Sequence, residues 1–173
     1  MRTPTCRFRG GAAIALLLVA AFVHGCERHG TRAPVVNTAD VDRDVKSLLD
    51  RWKQAFEARD LEGVRSVLAE DDRFVWLEDG EPRYRSADEI VQAYAGFPKE
   101  LAFTHALRDI RIVPISNDAA WAHMATSTQI EHGGRVVSEF TGVVLMIARR
   151  EATGWRIHAA HSSTPKPRSP APG

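Results

Sequence analysis

The residues best equipped for chemistry are histidines. His158 and His161 lie in the last apolar run, Trp155 to Ser163, and His123 and Glu139 lie in the two runs before it. Period-two alternation places Trp155, Ile157, Ala159, His161 and Ser163 on one face of a strand, with Arg156, His158, Ala160 and Ser162 on the other. His158 and His161 therefore cannot grip one metal ion. The same parity groups Trp121, His123, Ala125, Ser127 and Gln129, and it groups Arg135, Val137, Glu139, Thr141 and Val143. If His123, Glu139 and His161 face a shared cavity, a His–carboxylate pair becomes available as a general base. The alternative is that His161 is a core or interface histidine, that these faces form a dimer surface, and that Glu139 is solvated near a hairpin.

Metal chemistry has less to work with. There is no His-Glu-x-x-His run, and the only cysteines are Cys6 and Cys26, so a zinc or iron site would require His105, His123, His161 and Glu139 to converge. No cofactor is expected. The aromatic residues Trp52, Phe56, Trp76, Tyr94 and Phe97 offer either the apolar wall of a ligand pocket or plain core.

The beginning of the chain has the composition of an export signal. Arg2, Arg7 and Arg9 precede an uncharged apolar run from Ala12 to Val23. That run is shorter than the roughly 20 residues a membrane span needs and suits a signal peptide over residues 1–25. Removing those residues takes away three arginines and no acid, leaving 20 basic against 22 acidic side chains. No clustered basic surface is implied, and nucleic acid is not an expected partner. Residues 26–39 read as a polar tether and residues 165–173 as a Pro-rich disordered tail. Between them, residues 40–164 suffice for one hydrophobic core and not for two.

Within that domain, Val41, Val45, Leu48, Leu49, Trp52, Ala55 and Phe56 recur at helical spacing, predicting a helix from Asp40 to Arg59 with Asp40 or Asp42 as its cap. A short second helix follows from Asp60 to Leu68, then a strand from Phe74 to Leu77 and an Asp79-Gly80 turn. Ser86 and Glu89 have the spacing of a capping box, opening a third helix through Tyr94. Four long β-type segments complete the domain: Leu101–Ile115, Ala119–Glu131, Arg135–Arg150 and Trp155–Ser163. The order predicts an α+β fold with three N-terminal helices packed on one side of a mainly antiparallel sheet.

Several short motifs in this order resemble the NTF2-like superfamily, specifically SnoaL-like (DUF4440-type) domains. They are Leu48-Leu49-x-x-Trp52-x-x-Ala55 with Arg59-Asp60-Leu61, Asp71-Asp72-x-Phe74, Asn117-Asp118-x-Ala120, and Gly154-Trp155-x-Ile157 with His161-x-Ser163. The resemblance implies a strongly curved sheet wrapped round the first helix into a cone with a pocket, and commonly a homodimer formed through the sheet. The family holds both enzymes and binders, so fold alone does not decide function. Its ketosteroid isomerases carry a catalytic Asp about five residues beyond the Asp-Asp turn, and here that position is Leu77. Isomerase chemistry is accordingly disfavoured. Val23-His24-Gly25-Cys26 likewise resembles a bacterial lipobox, which implies lipidation at Cys26. Glu27, in place of an inner-membrane retention Asp, favours the periplasmic face of the outer membrane.

Three functions follow as expectations. The first is an envelope lipoprotein that binds a small apolar or amphipathic ligand in its cone, lined by Trp52, Phe56, Trp76, Tyr94, His123, Glu139 and His161. The second is a cofactor-independent enzyme of isomerase, cyclase, dehydratase or hydrolase type, using His161 or His123 with Glu139. The third is a protein-interaction module whose pocket is filled.

Overall fold

The computed structural model describes residues 35–165. The expected signal peptide, the tether up to residue 34 with Cys26, and the tail beyond Pro165 lie outside the described residues.

Helix α1 spans Thr38–Ala58 and buries Val41, Val45, Leu48, Leu49, Trp52 and Ala55, the stripe read from the sequence. Its cap is Asn37 rather than Asp40 or Asp42: the Asn37 side chain accepts from the Asp40 amide, and the Asn37 backbone N–H donates to Asn117 Oδ1 at 2.8 Å. The helix ends at Arg59, which takes a left-handed φ of 55°. The guanidinium of Arg59 then donates to the carbonyls of Phe97, Pro98 and Leu101, fastening the loop after the third helix. Helix α2, Leu61–Val67, is capped by Asp60, and α3, Ala87–Ala95, by Ser86. The Glu89 carboxylate reaches back to the Arg85 amide at 2.6 Å, one residue beyond the usual partner in a capping box.

Six strands form one sheet in the order β2-β1-β6-β5-β4-β3. Strands β1 (Val75–Glu78) and β2 (Glu81–Tyr84) make a hairpin through Asp79 and Gly80. Both turn residues have positive φ, as a type I′ turn requires. Strands β3 (Leu101–Ser116), β4 (Ala119–His132), β5 (Arg135–Glu151) and β6 (Gly154–Ser163) form an antiparallel meander. Strand β1 joins β6 in parallel, so the helical half of the domain is stitched to the closing strand. The inner face of the meander is sealed: Ala120, Ala122, Met124, Val144, Met146, Ala148, Trp155, Ile157 and Ala160 are all buried against the helices.

The strand registers shift at several places, and two of these bulges bear on the site. One falls between Arg108 and Arg111 on β3, with Asp109 at φ 51°. The other lies on β6, where Ile147 pairs with Ala159 and Ala148 with Ile157, leaving His158 as the extra residue. A bulge inserts one residue into a ladder and breaks the alternation of side chains. Strand β6 therefore points Trp155, Ile157, Ala160 and Ser162 inward, while Ala159 and His161 face outward. This corrects the simple parity expected for Trp155–Ser163.

Candidate functional site

The interior of the cone is packed with aromatic rings. Trp52 lies 5.9 Å from Trp76 and 5.0 Å from the His105 ring, centroid to centroid. Phe56 contacts Tyr94 at 5.0 Å, Phe103 at 5.3 Å and His105 at 5.3 Å. The gap bounded by Phe56, Arg59, Tyr94, Phe97 and Phe103 is about 10 Å³. That is no more than the space one water needs. The four aromatic pocket candidates Trp52, Phe56, Trp76 and Tyr94 thus do converge, but on one another.

A buried polar node sits among these rings. His105, 6% exposed, places Nδ1 2.7 Å from Thr128 Oγ1. Its amide donates to Glu57 Oε1 at 2.7 Å, and the other oxygen of Glu57 receives Lys53 Nζ at 2.6 Å. Nε2 has no polar partner and is enclosed by aromatic rings, with Trp52 nearly perpendicular to the imidazole. Burial dominates its titration: desolvation, opposed by the charge of Glu57, pushes the His105 pKa down to about 4. Burial pushes Glu57 up, but the hydrogen bonds from Lys53 and the His105 amide outweigh it, and the carboxyl settles below its ordinary range. Burial likewise drives the Tyr94 hydroxyl well above the phenol range. Burial therefore favours the neutral form of both groups.

The three proposed catalytic residues lie elsewhere. His123 and Leu145 are directly opposite, as are Leu145 and His161, so the two histidines sit on the outer face, on either side of one leucine. Strand spacing puts their backbones about 10 Å apart. Glu139 is also on the outer face, opposite Gln129, six residues along β5 from Leu145, or about 20 Å at strand rise. His123, Glu139 and His161 therefore do not line the cone, and no His–carboxylate pair forms among them. His105, the fourth residue a metal site would have needed, is inside the cone. Among the described residues, no three His, Cys, Asp or Glu side chains come together in a way that could hold a metal ion.

Two features escaped the sequence reading. His158, the bulge residue, inserts between carboxylates: Nδ1 is 3.3 Å from Asp71 Oδ2, and Nε2 is 2.9 Å from Glu151 Oε1, the latter outside hydrogen-bond angles. Arg156 reaches Glu151 at 3.4 Å and the Leu68 carbonyl at 2.9 Å, completing a clasp between β6 and the loop after α2. The other feature is a cleft of about 280 Å³ at the open end of the cone, lined by Glu78, Asp79, Thr126, Phe140, Gly142 and Ser162 among others. Leu77 faces outward opposite His161, so it is Glu78 whose carboxylate borders this cleft. The carboxylate is 48% exposed and lies 3.5 Å from Arg83. Nothing in the local sequence announced the bulge that creates the clasp, whereas the alternation of Trp76 and Glu78 was readable.

A cone of three helices on a curved mixed sheet is the NTF2-like fold, and the solved structures agree. An NTF2-like superfamily protein from Salmonella enterica aligns with a TM-score of 0.66 at 17% identity, over 79% of this chain and 99% of that one. A protein of unknown function from the DUF3225 family of Pectobacterium atrosepticum aligns at 0.57 with 28% identity, over 75% and 94%. An NTF2-like protein of unknown function from Shewanella oneidensis gives 0.57 at 24% identity, over 71% and 98%. The chain belongs to the SnoaL-like domain family, which matches residues 45–167. No curated protein matches it.

Proposed function

We propose that this protein is an envelope-anchored binding module that pairs with a second copy of itself through the outer face of its sheet. The observation that carries this reading is the apolar row Val143, Leu145 and Ile147, which are 47%, 42% and 39% exposed in the single chain. The alternating residues Val144, Met146 and Ala148 are already buried against the helices. A strand apolar on both faces is the pattern of a sheet covered on both sides. Strands β3–β6 present a face about 20 Å by 40 Å, on the order of 800 Å², which is what a standard interface takes from each partner.

Charge placement supports a second copy as the occupant. Arg108, Arg111, Arg149, Glu131 and Glu139 border this face, and none forms an ion pair within the described residues. Ala125 pairs with Val143; Glu131 lies six residues beyond Ala125 on β4, and Arg149 six residues the other way on β5. A two-fold axis across the strands at the Ala125–Val143 row brings the acidic end of each copy towards the basic end of the other. The filled cone fits a role in assembly rather than in turnover. Native mass spectrometry of the purified protein tests this reading. Two copies without an adduct are expected; a monomer at tens of micromolar would contradict it.

A second reading, a small ligand held by the domain, moves from the filled cone to the cleft beside Glu78 and Gly142. Its volume approaches the roughly 300 Å³ at which small-molecule sites begin. Anchoring through Cys26, on the periplasmic face of the outer membrane, remains part of the proposal and rests on the lipobox-like Val23–Cys26.

A further inference from the structure

We infer that the free edge of β5 receives an extended basic peptide as an added strand, with one of its side chains in the cleft beside Glu78. This rests on the second reading above, that the cleft takes a ligand, and gives that ligand a class; it is independent of the outer-face dimer. Strand β6 pairs with β5 only from Val143 to Glu151. Residues 135–142 of β5 are joined to β4 alone, and no strand among the described residues pairs their other edge. Alternate residues of a strand turn their N–H and C=O to the same edge, so about half of this length offers unpaired backbone groups.

The other edges of the sheet are blunted against pairing. Strand β2 is short, with Pro82 between Glu81 and Arg83. Strand β3 carries Pro114 and the bulge at Asp109, and α1 meets its rim, where Glu57 takes the His105 amide. Proline, charge, bulges and a covering helix are the usual means of closing an edge. The free length of β5 has no proline or lysine, and its ladder to β4 is regular from Ser138 to Gly142. Val136, Val137 and Phe140 on it are exposed.

The lane beside this edge fits one strand. At its end β6 lies between β5 and β1, with Ser163 opposite Val143 and Ser162 opposite Glu78. That sets two strand spacings, roughly 10 Å, between β5 and the β1–β2 turn. The chain does not continue the ladder itself: the Thr164 N–H goes to Asp79 Oδ1 at 2.9 Å, and Pro165 has no N–H to give. Charge selects the partner. Glu78 and Asp79 border the cleft, Phe140 lines its β5 side, and Glu139 precedes Phe140. The exposed Arg83 pairs Glu78 only loosely, at 3.5 Å, and Arg135 stands at the far end of the free length. An added strand gains its affinity from the backbone and its selectivity from alternate side chains. Here those side chains meet carboxylates and a phenyl ring, which suits alternating basic and apolar residues.

The test is hydrogen–deuterium exchange of the purified protein, read by mass spectrometry, with a capped peptide of about eight alternating lysine and valine residues as probe. In dilute free protein about half of the amides of residues 135–142 should exchange fast. Saturating peptide should slow them about tenfold or more and leave residues 143–151 unchanged. The same peptide N-methylated at every amide keeps its charges, loses its donors and should have no effect. Glu78→Gln should weaken binding of the lysine–valine peptide about two- to fivefold, the worth of one exposed ion pair. Equal protection by the N-methylated peptide, or none by either, overturns the added strand. Equal binding of a glutamate–valine peptide overturns the basic class. Protection already present in dilute protein would assign the edge to this chain, and protection that grows with protein concentration would assign it to a second copy; each overturns the peptide. If the peptide fails, an adduct retained in native mass spectrometry still upholds the cleft reading, and its absence removes both.

Discussion

His123 and His161 flank Leu145 on the outer face of the sheet, each directly opposite that leucine on a neighbouring strand. The relationship separates these histidines from the aromatic cone, whose only buried imidazole among the described residues is His105. His105 is sealed in the core, whereas His123 and His161 stand on the outer face of the sheet.

The sealed histidine makes the fold itself sensitive to acid. With its folded pKa pushed down to about 4 from an ordinary 6.5, His105 stays neutral while the unfolded chain takes up a proton. Between these values the unfolded state binds more protons, so this contribution is complete above pH 6.5 and is lost as pH falls towards 4. The expected loss is about 2 kcal/mol at pH 5. Urea unfolding of the wild type and His105→Phe at pH 7 and 5 measures it: the variant should lose that much less between the two pH values. An equal loss in both would assign the acid sensitivity to other groups.

Gly142 keeps the end of β6 in place. A Cβ there would lie 2.6 Å from the Ser163 carbonyl oxygen, which belongs to rigid backbone rather than to a movable side chain. Gly142→Ala should therefore destabilise the domain by about 1–3 kcal/mol in urea unfolding, and it should distort the cleft beside Thr126. If the cleft holds a ligand, native mass spectrometry should show a retained adduct in the wild type that this variant loses. The same adduct in both proteins would place the ligand elsewhere, and no adduct in either would leave this cleft without a ligand role.

The anchor is tested in cells of a Gram-negative host expressing the full chain. Cys26→Ser should move the protein from the membrane fraction to the soluble periplasmic fraction, because lipidation requires the thiol. A variant that still sediments with membranes would exclude anchoring through Cys26.

The long elements were legible in the sequence because their burial is periodic. The α1 stripe from Val41 to Ala55 and the four-strand meander follow directly from that pattern, and the resemblance to SnoaL-like domains added the cone. The helix cap is not legible locally because Asn37 is selected by tertiary structure: it bridges to Asn117, 80 residues away. The outward face of His161 escapes simple parity for a different reason. Parity arguments assume an unbroken ladder, and the extra residue at His158 reverses every side chain after it. The apolar character of Phe140–Ala148 on both faces is legible in the sequence, and one of those faces packs on the helices through Val144, Met146 and Ala148. The filling of the cone was not readable, since Trp52, Phe56 and Tyr94 suit a pocket wall and a packed core equally well.

The central claim is that the outer face of the sheet joins two copies, and Leu145 lies at the middle of that face. Sedimentation equilibrium of the wild type and Leu145→Glu at pH 7.5 tests it most directly. Because Leu145 is 42% exposed in the single chain, a glutamate should leave the fold and its circular dichroism unchanged. Buried without a partner in a dimer, the same charge should weaken association by several kcal/mol. The account predicts a wild-type dimer at micromolar concentration and a folded, monomeric variant. A wild type that stays monomeric, or a variant that dimerises as tightly as the wild type, would contradict it.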